Sequence, residues 1–334
     1  DFYYKKTTDL FTNVDVSPIN GITSYIMNNG DMLNKGFSIS LNGYPVKTKN
    51  FRWYMSTYYS VNLNKVQTDD ARNYNLNDYL NGTAVVSGQP ISTFYSYKFL
   101  GLNPQNGAPM FDDWEDRWHL LQGKTLDEVV PMILVNSGTR DPKFSGDLNN
   151  TFTYKNWSLS LNFSYSLGSK VRLFEMYGPI INGISAAANV REEFLDRWQV
   201  PGDEKYTVYP LIISPSSPDY EHYRLHYSAP QRAVGPNSGV PAFANNVWQM
   251  YDDSDLRVVS GNYLKLQSLS FSYRLNDRLL RKTPFTQLSI SFNTHNCFTI
   301  SAKELRGQDP SQAGFADAGL SIRPSYTIGL NVSF

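Results

Sequence analysis

Odd and even positions separate cleanly along much of this chain. From Trp157 to Leu167 every odd residue is apolar (Trp157, Leu159, Leu161, Phe163, Tyr165, Leu167) and every even one is Ser or Asn. Successive side chains of a strand point to opposite faces, so such a strand has one wholly apolar face and one small and polar face. The same alternation runs through 37–41, 51–63, 269–275, 288–292 and 326–334, and more loosely through 144–154. These runs exceed the roughly five to six residues of ordinary globular strands and match the length of a tilted bilayer crossing.

The connectors alternate in length. Thr48-Lys49-Asn50 and Lys155-Asn156 read as tight turns and 276–285 as a short link, whereas 11–35, 67–142, 172–258 and 300–322 are long and irregular. Short turns at one rim and long loops at the other are the pattern of an outer-membrane barrel. Parity then predicts eight crossings, at about 1–10, 36–47, 51–66, 143–154, 157–171, 262–275, 286–299 and 323–334. Thr93 to Leu102 also reads as extended, but one more crossing breaks parity, so it is placed in a hairpin outside the wall or in an unrecognised pair. Residues 183–198 are the best helix candidate, with Ser185 at the start and Pro201-Gly202 after the end. A soluble sandwich also gives alternating strands, but its loops need not sort by parity.

Composition narrows the classes. At 334 residues the chain can hold two domains or one large β structure. Thirty Lys+Arg balance thirty Asp+Glu, so no net field draws it to nucleic acid. Aromatic residues make up 14% and charged ones only 18%, against about 25% in a typical soluble domain. No stretch approaches the roughly 18 apolar residues of a membrane helix, which leaves a transmembrane barrel open because its strands average out as polar. Cys297 stands alone, so no disulfide framework is expected. The opening Asp1-Phe2-Tyr3-Tyr4 has no basic or apolar leader, and export cannot be read from it.

Candidate chemistry is sparse. No nucleophile elbow, phosphate loop, dinucleotide fingerprint or HExxH occurs, so neither a catalytic site nor a cofactor is expected. Asp252, Asp253 and Asp255 suit a hard cation but lack an Asp-x-Asp-x-Asp-Gly loop, and read better as a solvated charge cluster. His295 and Cys297 are two soft ligands without a partner pair nearby, so no metal site is expected there. The loop 172–258 gathers Tyr206, Tyr209, Tyr220, Tyr223, Tyr227, Phe243, Trp248 and Tyr251. Aromatic faces suit sugars and peptides, and equally suit packing against neighbouring loops or a lid. Trp53, Tyr59, Tyr165, Tyr273 and Tyr326 lie near strand ends, as an interfacial girdle does.

Several segments resemble one family. Tyr3-Tyr4-Lys5-Lys6-Thr7-Thr8-Asp9-Leu10 resembles the YYKKTTDLL strand of SusC/RagA-like TonB-dependent transporters of Bacteroidetes outer membranes. Gly101-Leu102-Asn103-Pro104-Gln105-Asn106-Gly107-Ala108-Pro109 resembles that family's GLDPxTGxP element, and the run from Pro142 to Phe152 its PKFxGGLxNTF. Arg197-Trp198-Gln199-Val200-Pro201-Gly202-Asp203-Glu204 matches RWxxPGDE, and 262–273 resembles SYLRLKNLTLSY. Asn296-Cys297-Phe298-Thr299 stands where NLFT is expected, followed by Gly307-Gln308-Asp309-Pro310 for GxDP. Asp147 and Cys297 depart from the pattern, and the loops 67–92 and 205–258 match only sparsely.

The resemblance implies an all-β, antiparallel transmembrane barrel segment, about eight strands of a 22-stranded barrel, with long extracellular loops 67–142 and 172–258. It implies the C-terminal part of a transporter whose plug and N-terminal extension lie elsewhere, on a split, cleaved or separately treated part. Such a transporter imports a glycan, oligosaccharide or peptide across the outer membrane with energy from TonB, under a SusD-like surface lipoprotein. Open edges are not tolerated in lipid, so these strands need the N-terminal strands as neighbours. Ser158, Ser160, Asn162 and Ser164 are then expected to line the lumen, and Phe334 resembles the C-terminal signal of barrel assembly. Tyr206, Tyr209, Tyr220, Tyr223, Tyr227, Trp248 and Tyr251 become candidate substrate or lid contacts. The alternatives are a soluble secreted β-sandwich that binds carbohydrate, and, more remotely, an outer-membrane hydrolase on a barrel anchor, for which no acid, base and nucleophile converge.

Overall fold

The computed structural model describes all residues except 10, 16–23, 29, 68–73, 113, 122, 181–189, 213–214, 217–219, 226, 228–245, 282 and 312–322. Eight strands form one sheet: β1 (Phe2–Thr7), β2 (Asp31–Lys47), β3 (Phe51–Gln67), β4 (Phe144–Tyr154), β5 (Trp157–Leu167), β6 (Tyr263–Arg274), β7 (Gln287–Ser301) and β8 (Ser325–Ser333). Their spatial order is their chain order and every pairing is antiparallel, so the sheet is a meander whose two edges are β1 and β8. The links β2–β3, β4–β5 and β6–β7 are short and lie at one end, and the long links lie at the other. β2 and β3 reach further toward the long-loop end than their alternation marks, because Asp31↔Gln67 through Asn34↔Asn64 continue the ladder.

Register converts the alternation into continuous faces. Val46, Trp53, Phe152, Leu159, Phe271, Phe292 and Ile328 are paired strand to strand as one apolar row across seven strands. One residue along, Tyr54, Thr151, Ser160, Ser270, Asn293 and Thr327 form a row on the opposite, polar face. The apolar rows stay open: Ile328 is 80% exposed and Leu330 66%. A bulge at Gln267 shifts the register between β5 and β6. Leu264 and Leu266 thereby join the apolar face, and Lys265 faces Ser164 on the polar one.

Glycine admits close approach at two matched points. Gly146 of β4 lies between Tyr165 of β5 and β3, and the Tyr165 hydroxyl donates to the Tyr58 carbonyl at 3.2 Å. Gly36 of β2 lies likewise between Tyr3 and β3, with the Tyr3 hydroxyl donating to the Val61 carbonyl at 3.2 Å. In each case the ring occupies the volume a side chain would take.

The long loops β3–β4 and β5–β6 fold together into a cap with its own core. Helix α1 (Leu76–Asn81) is closed by a capping box from Asn75 and Asp78, and α2 (Leu126–Ile133) by Thr125 and Glu128. Their buried faces (Tyr79, Leu80, Val129, Val130) meet Met176, Tyr177, Trp248, Met250 and Tyr251 from the other loop. The stretch 93–102 is extended, as two short strands of the cap: Thr93–Tyr97 pairs with Leu134–Thr139, and Phe99–Leu102 with Pro109–Phe111. The sheet therefore keeps its parity. Of the helix expected at 183–198, the first part lies outside the described residues, and Glu192–Asp196 is a single 3-10 turn. Among the described residues no helix is long and apolar enough to cross a membrane.

Candidate functional site: a two-faced wall and its aromatic cap

Ser158, Ser160, Asn162 and Ser164 lie together on the polar face of β5. Ser160 and Thr151 hydroxyls meet at 3.1 Å, and the Gln267 amide donates to the Ser164 hydroxyl at 2.7 Å. The cap attaches through this same polar face. The Ile91 amide donates to Asn64 at 2.9 Å, and Lys265 makes a 3.1 Å ion pair with Asp309 of the β7–β8 loop. Both partners of that pair are more than nine-tenths buried, so the loop is fastened inward against the wall. Among the described residues the cap and the β7–β8 loop are fastened on the polar side, which fits a wall with lipid outside and a polar interior.

The acidic cluster is corrected by the structure. Rather than solvated, Asp252 is 3% exposed and accepts from the backbone amides of Met176, Tyr177 and Gly178 at 2.8, 2.8 and 2.9 Å. Burial pushes its carboxyl up to about 6, with the Arg257 charge and the three amides pulling the other way. Asp253 pairs with Arg172 at 2.8 Å, and Asp255 with Lys98 at 2.6 Å. Arg172 also donates to the Leu80 and Tyr95 carbonyls and to the Ser96 hydroxyl, which ties the two long loops to each other. The cluster is the joint of the cap because helix α3 (Val247–Asp252) ends in the core where both loops meet. Sequence reasoning missed Arg172 and Lys265 alike, since their acids lie 81 and 44 residues away.

The aromatic candidates divide. Tyr220, Tyr227, Trp248 and Tyr251 are buried in the cap core, and Tyr209 packs against it. Tyr220 stacks on Trp248 at 6.0 Å, and Tyr251 meets Tyr177 and Phe99 edge-on. The Tyr227 hydroxyl is held between the amide and carbonyl of Phe111. Of the two uses left open by the sequence, contact with a ligand or lid and packing against neighbouring loops, these four rings show the packing, and Tyr227 also lines a cavity. Tyr206 is 91% exposed, and Tyr223 is half-buried and lines a cavity of about 330 Å³. Phe243 lies outside the described residues. A second cavity, about 390 Å³, lies between the cap and the turn Lys303–Leu305, and Arg257, Lys303, Arg306, Glu193 and Glu304 are among its lining residues.

Phe334 follows β8 with its ring 5.2 Å from Phe285 and otherwise exposed. Trp53 and Trp157 stand on the apolar face near the short turns. The Trp53 indole donates to Asn150 at 3.0 Å, and Trp157 stacks on Phe271 and meets Tyr273 at a tilt. His295 lies on the polar face, while the Cys297 thiol meets Thr294 at the irregularity in β7. No metal-binding group of acidic, His or Cys side chains forms among the described residues.

Comparison with known proteins identifies the company this chain keeps. No family model matches it. It is 24% identical over its whole length to TonB-dependent receptor P3 of Formosa agariphila, covering 32% of that receptor. It is 27% identical over 59% of its length to TonB-dependent receptor P26 of the same organism. Among solved structures, that of the RagAB peptide transporter superposes on the entire chain with a TM-score of 0.66 at 19% identity, using 33% of that chain. The chain thus spans about a third of the length of the relatives it matches. The sheet is the fold of a barrel wall, and the expected resemblance to SusC/RagA-like transporters is borne out.

Proposed function

We propose that this SusC/RagA-like chain forms the C-terminal wall and outer cap of a TonB-dependent importer in a Gram-negative outer membrane. The observation that carries the reading is the sheet itself. Its meander has one open apolar face, one polar face against which loops pack, and all short turns at a single end. The edges β1 and β8 are to be completed by the transporter's N-terminal strands, which also bring plug and TonB contact. The polar row through Ser158, Ser160, Asn162 and Ser164 lines the lumen, the cap stands outside, and a SusD-like lipoprotein closes over it. The cargo is a glycan, oligosaccharide or peptide.

Orientation is the direct test. In the full-length transporter with Cys297→Ser, a cysteine placed at Val200 (exposed on the cap) is expected to react with a membrane-impermeant maleimide on intact cells. One placed at Lys49, in a short turn, is expected to react only after lysis. Reversed labelling, or labelling of both on intact cells, would overturn the reading.

A further inference from the structure

The neutrality of the chain hides a separation of charge along the wall. The segments 47–52, 154–157 and 274–282, which make up the short-turn end, hold eight Lys and Arg and a single acid, Asp277. They carry +7, so the rest of the chain, with 22 basic and 29 acidic side chains, carries −7. Every described cation of these segments is exposed, and among the described residues none of them is in an ion pair. Some stand beside their own kind. Lys47 lies directly opposite Arg52 across the β2–β3 ladder, and Arg278, in the short helix Asp277–Leu280, is three residues from Arg281 at its C-cap. Like charges in either arrangement repel. Negative charge from outside the described fold is what relieves them.

The surroundings of these cations select the partner. Lys47, Arg52 and Arg274 close the polar face, whereas Lys49, Lys155, Arg278 and Arg281 stand on the links, beside apolar groups. The Lys155 ammonium lies 5.3 Å over the Tyr154 ring, and Tyr154 continues the apolar row of β4 two residues beyond Phe152. Leu279, between Arg278 and Arg281, is 55% exposed, and the Phe285 and Phe334 rings stand 5.2 Å apart at the same end. Exposed rings and aliphatic groups with cations just beyond them are the arrangement of a membrane interface. The rings sit at headgroup level, and the Lys and Arg stems carry their charge on to the phosphates. A soluble acidic partner does not call for that apolar collar.

We propose that the short-turn end is a docking rim for the anionic headgroups of phospholipids in the periplasmic leaflet, with Lys49, Lys155, Arg278 and Arg281 as its contacts. The inference rests on the importer reading above, which sets this end toward the periplasm. The test uses the full-length transporter in phosphatidylcholine vesicles with a trace of spin-labelled phosphatidylglycerol or spin-labelled phosphatidylcholine. The motionally restricted fraction of each label gives the relative affinity of the two lipids for the barrel surface. The parent protein is expected to prefer phosphatidylglycerol by about threefold or more at low salt. Raising the salt from about 50 mM to about 500 mM is expected to weaken that preference, because screening shortens the reach of each charge. Lys49→Gln, Lys155→Gln, Arg278→Gln and Arg281→Gln together are expected to abolish the preference, and either the lysine pair or the arginine pair alone to reduce it. A control set of exposed cations toward the long-loop end, Lys5→Gln, Lys35→Gln, Lys65→Gln and Lys205→Gln, is expected to keep most of it. No preference in the parent, an equal loss in both sets, or a preference retained by the rim set would each overturn the assignment. Retention on purified peptidoglycan that the rim set loses, with no lipid preference, would give the rim to the cell wall instead. Maleimide labelling of the cysteine at position 49 keeps the two readings apart. If that labelling requires lysis and the lipid preference fails, only the lipid rim falls; if position 49 is labelled on intact cells, the importer orientation falls.

Discussion

Leu161 and Ser160 are neighbours in sequence and lie on opposite faces of β5, so arginine at each position measures the two environments separately. The ten steps of β5, at about 3.3 Å each and tilted by about 40°, project to about 25 Å, the height of the apolar band of a transmembrane barrel. Leu161 is four steps from the turn-side end, about 10 Å in and close to the midplane. Its cross-strand partners are Asn150 and Leu269, and no charge is paired with it there. An arginine at that depth costs about 2–4 kcal/mol. Ser160 faces Thr151 and Ser270, and its replacement loses one hydroxyl contact, about 1 kcal/mol. The expected gap of about 2 kcal/mol is roughly thirtyfold in the folded-to-unfolded ratio.

Full-length protein in liposomes, unfolded by urea and read as the heat-modifiable folded fraction, resolves a gap of that size. A repeat on β6 sharpens the reasoning, because Leu269 and Ser270 stand directly opposite Leu161 and Ser160. Leu269→Arg is expected to match Leu161→Arg, and Ser270→Arg to match Ser160→Arg. Beyond the Gln267 bulge the parity changes, so Leu266→Arg belongs with the damaging group although its number is even. Equal costs on both faces, or a parity that ignores the bulge, would refute the assignment of lipid and lumen.

Three further outcomes follow from the same geometry. Gly146→Ala places a methyl group against the Tyr58 carbonyl and within 2.7 Å of Tyr165 Cζ, and is expected to cost about 1–3 kcal/mol. Gly43→Ala, whose methyl meets nothing within 4 Å, is the matched control, and equal urea midpoints for the two would remove the Tyr165–Gly146 joint from the account. Lys265→Met leaves Asp309 buried without its cation and is expected to cost about 3–5 kcal/mol. Adding Asp309→Leu is expected to restore much of that and to slow proteolysis in the 302–311 loop; failure to recover would mean that the pair is not the fastening. Because burial raises the folded Asp252 carboxyl to about 6, above its unfolded value, the folded cap holds that proton more tightly. Cap stability is therefore expected to fall as pH rises from about 4 through 6, by on the order of 2–3 kcal/mol. Hydrogen exchange at Met176–Gly178, corrected for intrinsic rates, checks this, and a slope unchanged by Asp252→Asn would exclude Asp252 as its source.

The wall was legible in the sequence and the cap was not, for one physical reason. In β5 or β8 each residue's environment is decided by the parity of its own position, and parity is local information. Even the bulge leaves a trace, since Gln267-Ser268 are two polar residues in a row where Leu264, Leu266 and Leu269 change step. The cap core instead joins Tyr79, Val130, Tyr177 and Tyr251, which come from turns far apart along the chain. Nothing near Tyr251 reports that Tyr177 and Phe99 will cover it. An aromatic-rich loop then looks like a ligand surface, and three clustered aspartates look solvated, until the partners are known.

The motifs that carry the family resemblance turn out to be joints. Trp198 of the RWxxPGDE-like segment packs on Gly107 of the GLDPxTGxP-like segment, where φ is +66° and an added Cβ would lie 2.8 Å from the indole Cγ. Lys265 of the SYLRLKNLTLSY-like strand fastens Asp309 of the GxDP-like turn, and Gly146 of the PKFxGGL-like strand receives Tyr165. Each joint depends on one residue type at one place, which no neighbouring residue replaces. The cavity walled by Leu100, Met110 and Tyr223 has no such constraint, because apolar wall can be built from many residues. Two chains can therefore share every joint and differ in this cavity.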